Sequence, residues 1–425
     1  MKIMFLTHYY PPEVNAPASR TSEHCRAWAE LGHDVTVVTC APNHPNGNVY
    51  PGYKNKLFQT DMVDGVRVIR LWTYMAANEG FLRRTLNYIS YLAAVTLATP
   101  RLPKPDIVVS TSPQFFCGLA GLTVRTVKRV PWVLEIRDLW PESIVTVGAM
   151  SKGLAVRSLE AVERFAYRSA DFIVPVTDSF VHHITERGGD PCRIKIIKNG
   201  VDLSLFQQDP EGAARIRKEL GLEGKFIAAY VGTHGMAHGL DVILDAAERL
   251  RHDPRIAFLL VGDGAERAGL LERSAARNLD NVLILGQRPK KDMPAIWTAT
   301  GASLILLRRN DLFRKVIPSK MFEAMAMRRP IILGVEGESC DLLMQAGAGI
   351  PIPPQDADAL TAAIHKLAND PAYAATLAQS GETFVRANFD RAELASRYLD
   401  ALEIAANGGL THATAPTANA SSSGP

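Results

Sequence analysis

Short runs of apolar residues alternate with helix-like stretches along most of this 425-residue chain. Uninterrupted apolar strands that alternate with helices are typical of parallel sheets covered by helices on both faces. The apolar runs lie at 2–6, 34–39, 66–71, 106–111, 132–137 and 171–177 in the first half, and at 226–232, 256–262, 281–286, 302–307 and 330–335 in the second. The chain therefore predicts an α/β protein with two doubly wound, Rossmann-like domains.

A polar stretch, 203–225, separates the two sets of strands. We expect a first domain at 1–205 and a second at 206–384. Open α/β sheets bind ligands at the carboxyl ends of their strands, so two such domains facing each other would form a central cleft there. The helical stretch 385–407 is expected to cross back to the first domain, and the tail 408–425, poor in large apolar residues, is expected to be disordered.

Composition argues against several other classes of protein. The net charge of +3 is too small to indicate a nucleic-acid partner. The five cysteines include no C-x-x-C pair of the kind found in zinc or thiol redox sites. Scattered cysteines and a start without the apolar core of a signal peptide favour a cytoplasmic location.

No apolar run reaches the ~18 to 20 residues that a membrane span needs. The nearest is 81–98, where Arg83 and Arg84 precede an apolar segment that contains Tyr88 and Tyr91. Two interpretations remain open for this segment. It is either a core helix with a basic end, or a helix that lies in the lipid interface at the inner face of the cytoplasmic membrane.

The loop 7–20, after the first apolar run, contains no glycine and so lacks the dinucleotide-binding sequence G-x-G-x-x-G. The chain also contains no G-x-x-x-x-G-K-[ST], no H-E-x-x-H and no G-x-S-x-G. These absences argue against nicotinamide-dependent enzymes, P-loop NTPases, zincins and hydrolases with a nucleophile elbow.

The loop 137–143, RDLWPES, follows a strand and brings Arg137, Asp138 and Trp140 together. An aromatic ring beside a carboxylate suits a sugar, because the ring contacts C–H groups and the carboxylate accepts hydrogen bonds from hydroxyls. The alternative is an ordinary ion pair over a packed tryptophan.

Two glycine-rich turns end the first two strands of the second half. The sequence VGTHGMAHGLD places Gly232, His234, Gly235 and His238 after one strand, and VGDGAER follows the next. Glycine lets a ligand approach the backbone closely, and a helix N-terminus after such a turn can bind phosphate. Tight strand–helix turns without a ligand are the alternative.

The segment 308–326, RRNDLFRKVIPSKMFEAMA, follows a further strand and is rich in cations. Lys320 falls in the first turn of a helix that opens at Pro318 and Ser319, although helix N-termini prefer acids. A lysine there becomes favourable when an anion such as a diphosphate binds at the same place. Glu323, one turn later, would then accept hydrogen bonds from sugar hydroxyls; the alternative is a solvated surface helix.

These motifs together resemble family 4 of the retaining glycosyltransferases, which have the GT-B fold of two facing Rossmann-like domains. The resemblance covers nearly the whole chain. It is carried by HYYPPEVNAPASR (8–20) with the run 27–35, by IIKNGVDLSLF (196–206), by LVGDGAER (260–267) with 285–297, and by IPSKMFEAMAMRRPII (317–332). The segments APNHPNG, RDLWPES and IPSK resemble the branch that includes the L-N-acetylfucosamine transferases of O-antigen and capsule assembly.

The resemblance implies a hexosyltransferase-type enzyme with a nucleotide-sugar donor, and neither a cofactor nor a metal nor a covalent enzyme nucleophile. The implied catalytic residues are Lys320, Glu323 and Asp138. The implied acceptor-binding residues are Asn15, Arg20, Arg137 and Trp140. From the resemblance and from the residues of these loops, we expect the donor to be bound by Gly232, Thr233, His234, Gly235, His238, Gly262, Asp263, Gly264, Gln287, Arg288, Arg314, Lys315, Pro318 and Ser319.

This chain departs from the family pattern at positions that normally hold the donor. Lys315 occupies the place of the first glutamate of the family's E-x7-E motif. His234 and His238 stand near the places of the arginine and lysine that hold the diphosphate in many members. We therefore expect diphosphate binding to have shifted toward Lys315 and Lys320.

The sequence thus predicts transfer of a sugar to a polyprenyl-diphosphate-linked or other glycan acceptor in cell-surface polysaccharide biosynthesis. The resemblance to the L-N-acetylfucosamine branch implies that the sugar is an N-acetylated deoxyhexosamine carried on UDP. Two alternatives share the fold. A non-transferring UDP-sugar 2-epimerase would release its product without an acceptor. An inactive sugar-nucleotide-binding module is the other, and the departures at Lys315 and His238 keep it open.

Overall fold

The computed structural model describes residues 1–44, 46–76, 81–112, 114–146 and 153–408. Its strands form two sheets, one in each half of the chain. Both are wound with helices on their two faces, so the predicted α/β class with two Rossmann-like domains is confirmed. Apart from Gly408, the tail expected to be disordered lies outside the described residues.

The first sheet has seven strands in the order β3-β4-β2-β1-β5-β6-β7. They are Lys2–Leu6 (β1), Asp34–Cys40 (β2), Phe58–Val63 (β3), Val66–Leu71 (β4), Ile107–Thr111 (β5), Trp132–Ile136 (β6) and Phe172–Pro175 (β7). All neighbours are parallel except β3 and β4, which form an antiparallel hairpin at the edge. The sequence analysis missed β3, because its side chains alternate between exposed and half-buried and form no continuous apolar run.

Among the described residues, six α-helices accompany this sheet. They are Ala16–Glu30 (α1), Phe81–Ala98 (α2), Phe115–Lys128 (α3), Glu142–Thr146 (α4), Leu154–Ser169 (α5) and Asp178–Glu186 (α6). One apolar cluster joins α2, α3, α5 and α6 to one face of the sheet. A second cluster joins α1 to the opposite face.

The second sheet has six parallel strands in the order β10-β9-β8-β11-β12-β13. They are Phe226–Val231 (β8), Ile256–Val261 (β9), Val282–Leu285 (β10), Ala302–Leu306 (β11), Ile331–Gly334 (β12) and Gly349–Pro351 (β13). The first five match predicted runs. The sequence analysis missed β13, since three residues at an edge carry too little pattern to be recognised.

The described part of the second half, up to residue 408, has nine α-helices. They are Pro210–Glu219 (α7), Asp241–Arg249 (α8), Arg267–Ala276 (α9), Met293–Ala299 (α10), Lys320–Ala326 (α11), Glu338–Ala346 (α12), Ala357–Asn369 (α13), Pro371–Asn388 (α14) and Arg391–Ala406 (α15). The last helix packs on α1 of the first half, where the indole N–H of Trp28 donates to the carbonyl oxygen of Ala395 over 2.8 Å. Helix α15 thus lies against the first sheet.

The two sheets approach each other through loops at their carboxyl edges. Ion pairs cross this gap from Lys290 to Glu23 and from Lys315 to Glu142. The cleft between the edges therefore brings loops of both halves within reach of one ligand.

Candidate active site

The loops after β8 and β9 meet backbone to backbone at the carboxyl edge of the second sheet. Gly232, Gly262 and Gly264 have φ angles of 144°, 151° and 152°, which residues with a side chain rarely adopt. A Cβ on Gly262 would lie 1.9 Å from the carbonyl oxygen of Gly232. A Cβ on Gly264 would lie 2.5 Å from the carbonyl oxygen of His234. Only glycine allows the two turns to pack this closely.

Lys320, the first residue of α11, points its ammonium into this glycine corner. The Nζ atom lies 3.8 Å from the centre of the Tyr230 ring and 2.9 Å from where a Cβ on Gly232 would stand. It is buried and has no hydrogen-bond partner among the described residues. Burial, only partly offset by Glu323, lowers the pKa of Lys320 to about 7. The corner therefore holds a cation without an anion.

Two neutral histidines stand beside this lysine. His234 is fully buried, and neither of its ring nitrogens is hydrogen-bonded within the described structure. Burial, with help from Arg267, lowers the pKa of His234 to about 4. The Nδ1 atom of His238 lies 3.3 Å from the carbonyl oxygen of Leu306, and burial lowers the pKa of His238 to about 3. With neither ring nitrogen bonded, neutral His234 can donate one hydrogen bond to an anion without adding charge, whereas neutral His238 uses its one N–H, on Nδ1, for the carbonyl oxygen of Leu306.

The other predicted residues of the two turns shape the corner. The hydroxyl of Tyr230 donates to the carbonyl oxygen of Thr233 over 2.8 Å. Asp263 accepts twice, with its carboxylate from the N–H of Gly264 and with its carbonyl from that of His234, both over 2.8 Å. A Cβ on Gly235 would meet nothing nearer than 3.6 Å, so this residue stays open to a ligand.

The start of α11 lies over the same corner. Pro318 and Ser319 precede the helix, and their carbonyls accept the N–H groups of Met321 and Phe322. The side chain of Ser319 makes no capping hydrogen bond. The N-terminus of α11, from which Lys320 reaches into the corner, is therefore not capped by the side chain of Ser319.

Glu323 follows one turn later and is half-buried. Burial raises the pKa of Glu323, and the ammonium of Lys290 offsets part of this effect. Lys290 is ion-paired with Glu23 of the first domain, and Glu23 in turn lies 2.7 Å from Arg391 at the start of α15. Glu323 thus lies close to charged residues of the second domain, the first domain and the last helix.

Two predicted donor-binding cations lie elsewhere. The ammonium of Lys315 is 3.3 Å from the carboxylate of Glu142 in the first domain. Arg314 and Lys315 line a cavity of about 660 Å³ whose other walls include Glu338 and Lys198. The structure therefore pairs Lys315 with a protein carboxylate rather than placing it against the glycine turns. This arrangement gives no support to the expectation that diphosphate binding shifted toward Lys315, which stays a prediction.

Two further residues predicted to bind the donor, Gln287 and Arg288, have exposed side chains. Gln287 donates from Nε2 to the carbonyl oxygen of Val14 in the first domain over 3.4 Å. Arg288 faces a smaller cavity of about 210 Å³, which is floored by apolar side chains such as Ile296. Gln287 thus touches the cleft, and Arg288 turns toward the α7–α10 side of the sheet.

Arg20, predicted to bind the acceptor, is a structural residue. It is 1% exposed and pairs with Glu135 over 2.9 Å. Its other nitrogens donate to the carbonyl oxygens of Lys198 and Ile197, each over 2.9 Å. Each guanidinium nitrogen already serves the first domain, so the acceptor role expected for Arg20 has no free nitrogen to support it. Asn15 caps α1 by accepting from the N–H of Ala18, which leaves only its buried Nδ2 unpaired.

Residues of the RDLWPES loop make several contacts within the first domain. Trp140 stacks on Phe115 with ring centres 4.6 Å apart, so one face of the indole is covered. The backbone N–H of Arg137 donates to Ser112 over 2.7 Å, and burial lowers the pKa of its guanidinium to about 10. Burial raises the pKa of Asp138 above its ordinary value.

Sequence reasoning missed one charged cluster next to this loop. His183 lies 3.2 Å from Glu142 and 3.0 Å from Glu163, and Arg187 lies 2.9 Å from Glu163. His183 and Lys315 lower the pKa of Glu142 to about 2. The partners are distant in sequence and belong to α4, α5 and α6, so no local pattern could have brought them together.

The described residues contain no group of three or more His, Cys, Asp or Glu side chains placed to hold a metal ion. In the same part of the chain, none of the helices is both long and apolar enough to cross a bilayer.

Two facing Rossmann-like domains whose cleft is lined by these turns define a GT-B fold. The fold is shared with the solved structure of Anabaena HepE, determined with UDP and glucose, at a TM-score of 0.71 and 18% identity over 95% of this chain and 99% of that one. Residues 15–200 match the glycosyl transferase 4-like domain and residues 213–384 match the glycosyl transferases group 1. The chain therefore belongs to the glycosyltransferases built from these two domains.

Relatives of known name agree with this family. The chain is 25% identical over 379 residues to WcaI of Escherichia coli (strain K12), a glycosyl transferase by name ascribed to colanic acid biosynthesis, which covers 86% of this chain and 92% of that protein. It is 29% identical over 244 residues to the lipopolysaccharide core biosynthesis mannosyltransferase LpcC of Rhizobium leguminosarum bv. viciae, covering 55% of this chain and 65% of that protein.

Proposed function

We propose that this glycosyltransferase moves a sugar, with retention of configuration, from a UDP-linked donor to a polyprenyl-diphosphate-linked or other glycan acceptor in cell-surface polysaccharide biosynthesis. The named relatives act, by their names, in colanic acid and lipopolysaccharide core biosynthesis. The HepE structure supports UDP as the nucleotide. The resemblance of the APNHPNG, RDLWPES and IPSK segments to the L-N-acetylfucosamine branch supports an N-acetylated deoxyhexosamine as the sugar.

One observation carries the donor assignment: the buried ammonium of Lys320 faces the glycine corner without a partner. An unpaired buried cation is costly, and a diphosphate supplies the missing charge and acceptors. The neutral ring of His234 and the open backbone at Gly235 add donors that carry no net charge. Negative charge grows on the leaving diphosphate during transfer, so donors fixed in this place would stabilise the transition state.

The remaining roles follow from what surrounds that corner. Glu323 would accept hydrogen bonds from ribose hydroxyls, and the loop at Gln287 would meet the base. No metal is required in this proposal, because Lys320 and the glycine turns serve the diphosphate. Asp138 on the facing loop is the proton acceptor we assign to the incoming acceptor hydroxyl.

A lipid-linked acceptor implies that the enzyme acts at the inner face of the cytoplasmic membrane. Helix α2 supports this proposal, since it turns Leu82, Leu86, Ile89 and Leu97 outward, with exposures from 42% to 75%. Arg83 and Arg84 lie at the start of the same helix. A helix with an outward apolar stripe and a basic end suits the interface of an anionic bilayer.

A thermal-shift panel of UDP, GDP, ADP and TDP in EDTA tests the donor site directly. A ligand that binds only the native state raises the melting temperature. We expect UDP to give the largest shift, Lys320→Met to abolish it, and Lys315→Met to keep it, because Lys315 is paired with Glu142. A shift that survives in Lys320→Met, or that is lost equally in Lys315→Met, would refute the assignment of the diphosphate to Lys320.

Product analysis separates transfer from the alternatives. With a UDP-sugar and no acceptor, a transferase leaves the donor intact, whereas an epimerase converts it. Retained transfer in both Lys320→Met and Glu323→Gln would overturn the catalytic assignment, since losing a charge-stabilising donor is expected to cost about 10² to 10³ in rate.

A further inference from the structure

Helix α5 also turns apolar side chains outward. Leu154, Val162 and Phe165 are 82%, 36% and 55% exposed and recur along one side of the helix. The opposite side of α5, at Val156 and Ala166, is buried against the first sheet. The outward stripe on α5 therefore has nothing of this chain to cover it among the described residues, just like the stripe on α2.

The stripes on α2 and α5 lie on the same side of the molecule. Tyr91 of α2, Val124 of α3 and Ala166 of α5 belong to one apolar cluster under one face of the first sheet. Helix α3 packs beside α2 and also touches α5. We call the outer surface of α2 and α5 the basic–apolar face. Its members are Leu82, Arg83, Leu86, Ile89, Leu97, Leu154, Arg157, Val162, Arg164, Phe165 and Arg168.

The charge of this face is strongly one-sided. Helices α2 and α3 contain no acidic residue. Helix α5 has two, of which Glu163 is buried in its hydrogen bonds to His183 and Arg187. Only Glu160 remains near the surface of these three helices, 3.9 Å from Arg164. Exposed leucines and phenylalanine interleaved with arginines fit an anionic lipid surface, where apolar side chains enter the acyl boundary and cations meet headgroups.

Both helices start near the cleft. A helix that connects parallel strands runs against them, so it begins at their carboxyl edge. For α2 this is visible directly, because Asn87 is hydrogen-bonded to His8 just after β1, and Arg84 is close enough to Asp138 to offset a small part of the rise in its pKa caused by burial. Leu82 and Leu154 therefore mark the cleft-side ends of the two stripes.

We infer that α2 and α5 together form one docking face for an anionic membrane surface, with the mouth of the cleft held at the lipid headgroups. A polyprenyl-linked diphosphate sits at that level, so the orientation would deliver its sugar to the Asp138 side of the cleft. This inference rests on the lipid-linked acceptor of the proposed function. It adds a second contact helix and a defined orientation.

Vesicle flotation tests the role of α5. The full chain is mixed with vesicles of phosphatidylethanolamine and phosphatidylglycerol, or of phosphatidylcholine alone. We expect binding to the anionic vesicles that weakens with salt, and a roughly tenfold lower partition coefficient for Leu154→Gln/Phe165→Gln. The matched control is Leu57→Gln/Met62→Gln, which changes two side chains 82% and 66% exposed at the far edge of the sheet. It should bind like the unaltered chain.

Three results would overturn the inference. The first is that the α5 variant floats as well as the unaltered chain. The second is that the unaltered chain does not bind anionic vesicles. The third is that the unaltered chain is a dimer and the α5 variant is a monomer. The UDP thermal shift is read on the same proteins. A lost UDP shift with normal flotation would refute the donor site alone, whereas a normal shift without flotation would refute the docking face alone.

Discussion

Lys320 keeps an ammonium buried against Gly232 and Tyr230 without a partner. Such a group costs free energy in the free protein, because the charged form has lost its water and gained no anion. Binding sites often carry strain of this kind, since groups arranged for a ligand are poorly satisfied without it. The stability of the free protein and its affinity for the donor should therefore oppose each other at this residue.

We expect Lys320→Met to raise the free energy of unfolding of the ligand-free protein by about 1–3 kcal/mol near pH 7, while abolishing the UDP shift. The folded pKa of about 7 lies below the ordinary value of 10.5, so the unfolded chain binds more protons between these values. The penalty of the lysine is therefore complete below pH 7 and fades as the pH rises toward 10.5. Urea unfolding of both proteins at pH 6.5 and pH 9 measures it.

The gain from the substitution should be larger at pH 6.5 than at pH 9. Lys291→Met, which changes an exposed lysine, is the control and should leave stability nearly unchanged at both values. A gain that grows with pH, or a loss of stability at pH 6.5, would contradict a buried unpaired ammonium.

The position of Lys320 at a helix start could be anticipated from sequence, because it is a local property. The pairing of Lys315 could not. Its partner Glu142 lies 173 positions away and is brought near only by the packing of two domains. Arg20 illustrates the same limit, since a buried arginine bonded to Glu135 reads in sequence like any polar residue of a binding loop.

At the scale of elements, the two glycine turns act as one unit. We expect Gly262→Ala to lower the free energy of unfolding by about 3 kcal/mol or more and to remove the UDP shift, because its Cβ would overlap the carbonyl of Gly232 at 1.9 Å. Gly224→Ala is the matched control. It has a φ of 69° but no atom within 4 Å of its Cβ, so it should cost only about 1 kcal/mol.

For both variants, chemical denaturation measures the free energy of unfolding, and the thermal shift measures UDP binding. Equal losses of stability would mean that backbone conformation, not the contact between turns, is what glycine provides at position 262. An intact UDP shift in Gly262→Ala would separate these turns from the donor site.

Strands with a continuous apolar run were predictable, because a strand buried on both faces needs apolar side chains at every position and so has a recognisable sequence pattern. The edge strands β3 and β13 escaped, since one is half-exposed along its length and the other has three residues. Helix α5 shows the converse. Its helical pattern is clear in sequence, but the exposure of Phe165 depends on which side packs on the sheet, and that is decided by tertiary structure.

At the scale of the whole molecule, two of the ion pairs that join the domains involve lysines of the second domain. Lys290 pairs with Glu23 and Lys315 with Glu142. Each carboxylate has a further partner inside the chain, Arg391 for Glu23 and His183 for Glu142. Removing either lysine therefore breaks a bridge between domains without leaving a carboxylate unpaired.

We expect the double variant Lys290→Met/Lys315→Met to widen the cleft of the ligand-free protein in solution. Each lysine is about one-third exposed, so each bridge contributes roughly 0–1 kcal/mol, and losing both shifts the ratio of closed to open molecules by up to about thirtyfold. Small-angle X-ray scattering should record a larger radius of gyration for the double variant than for Lys291→Met. High salt should move the unaltered protein in the same direction, because screening weakens exposed pairs. An unchanged radius in both experiments would mean that apolar contacts and the α1–α15 packing, rather than these bridges, set the opening of the cleft.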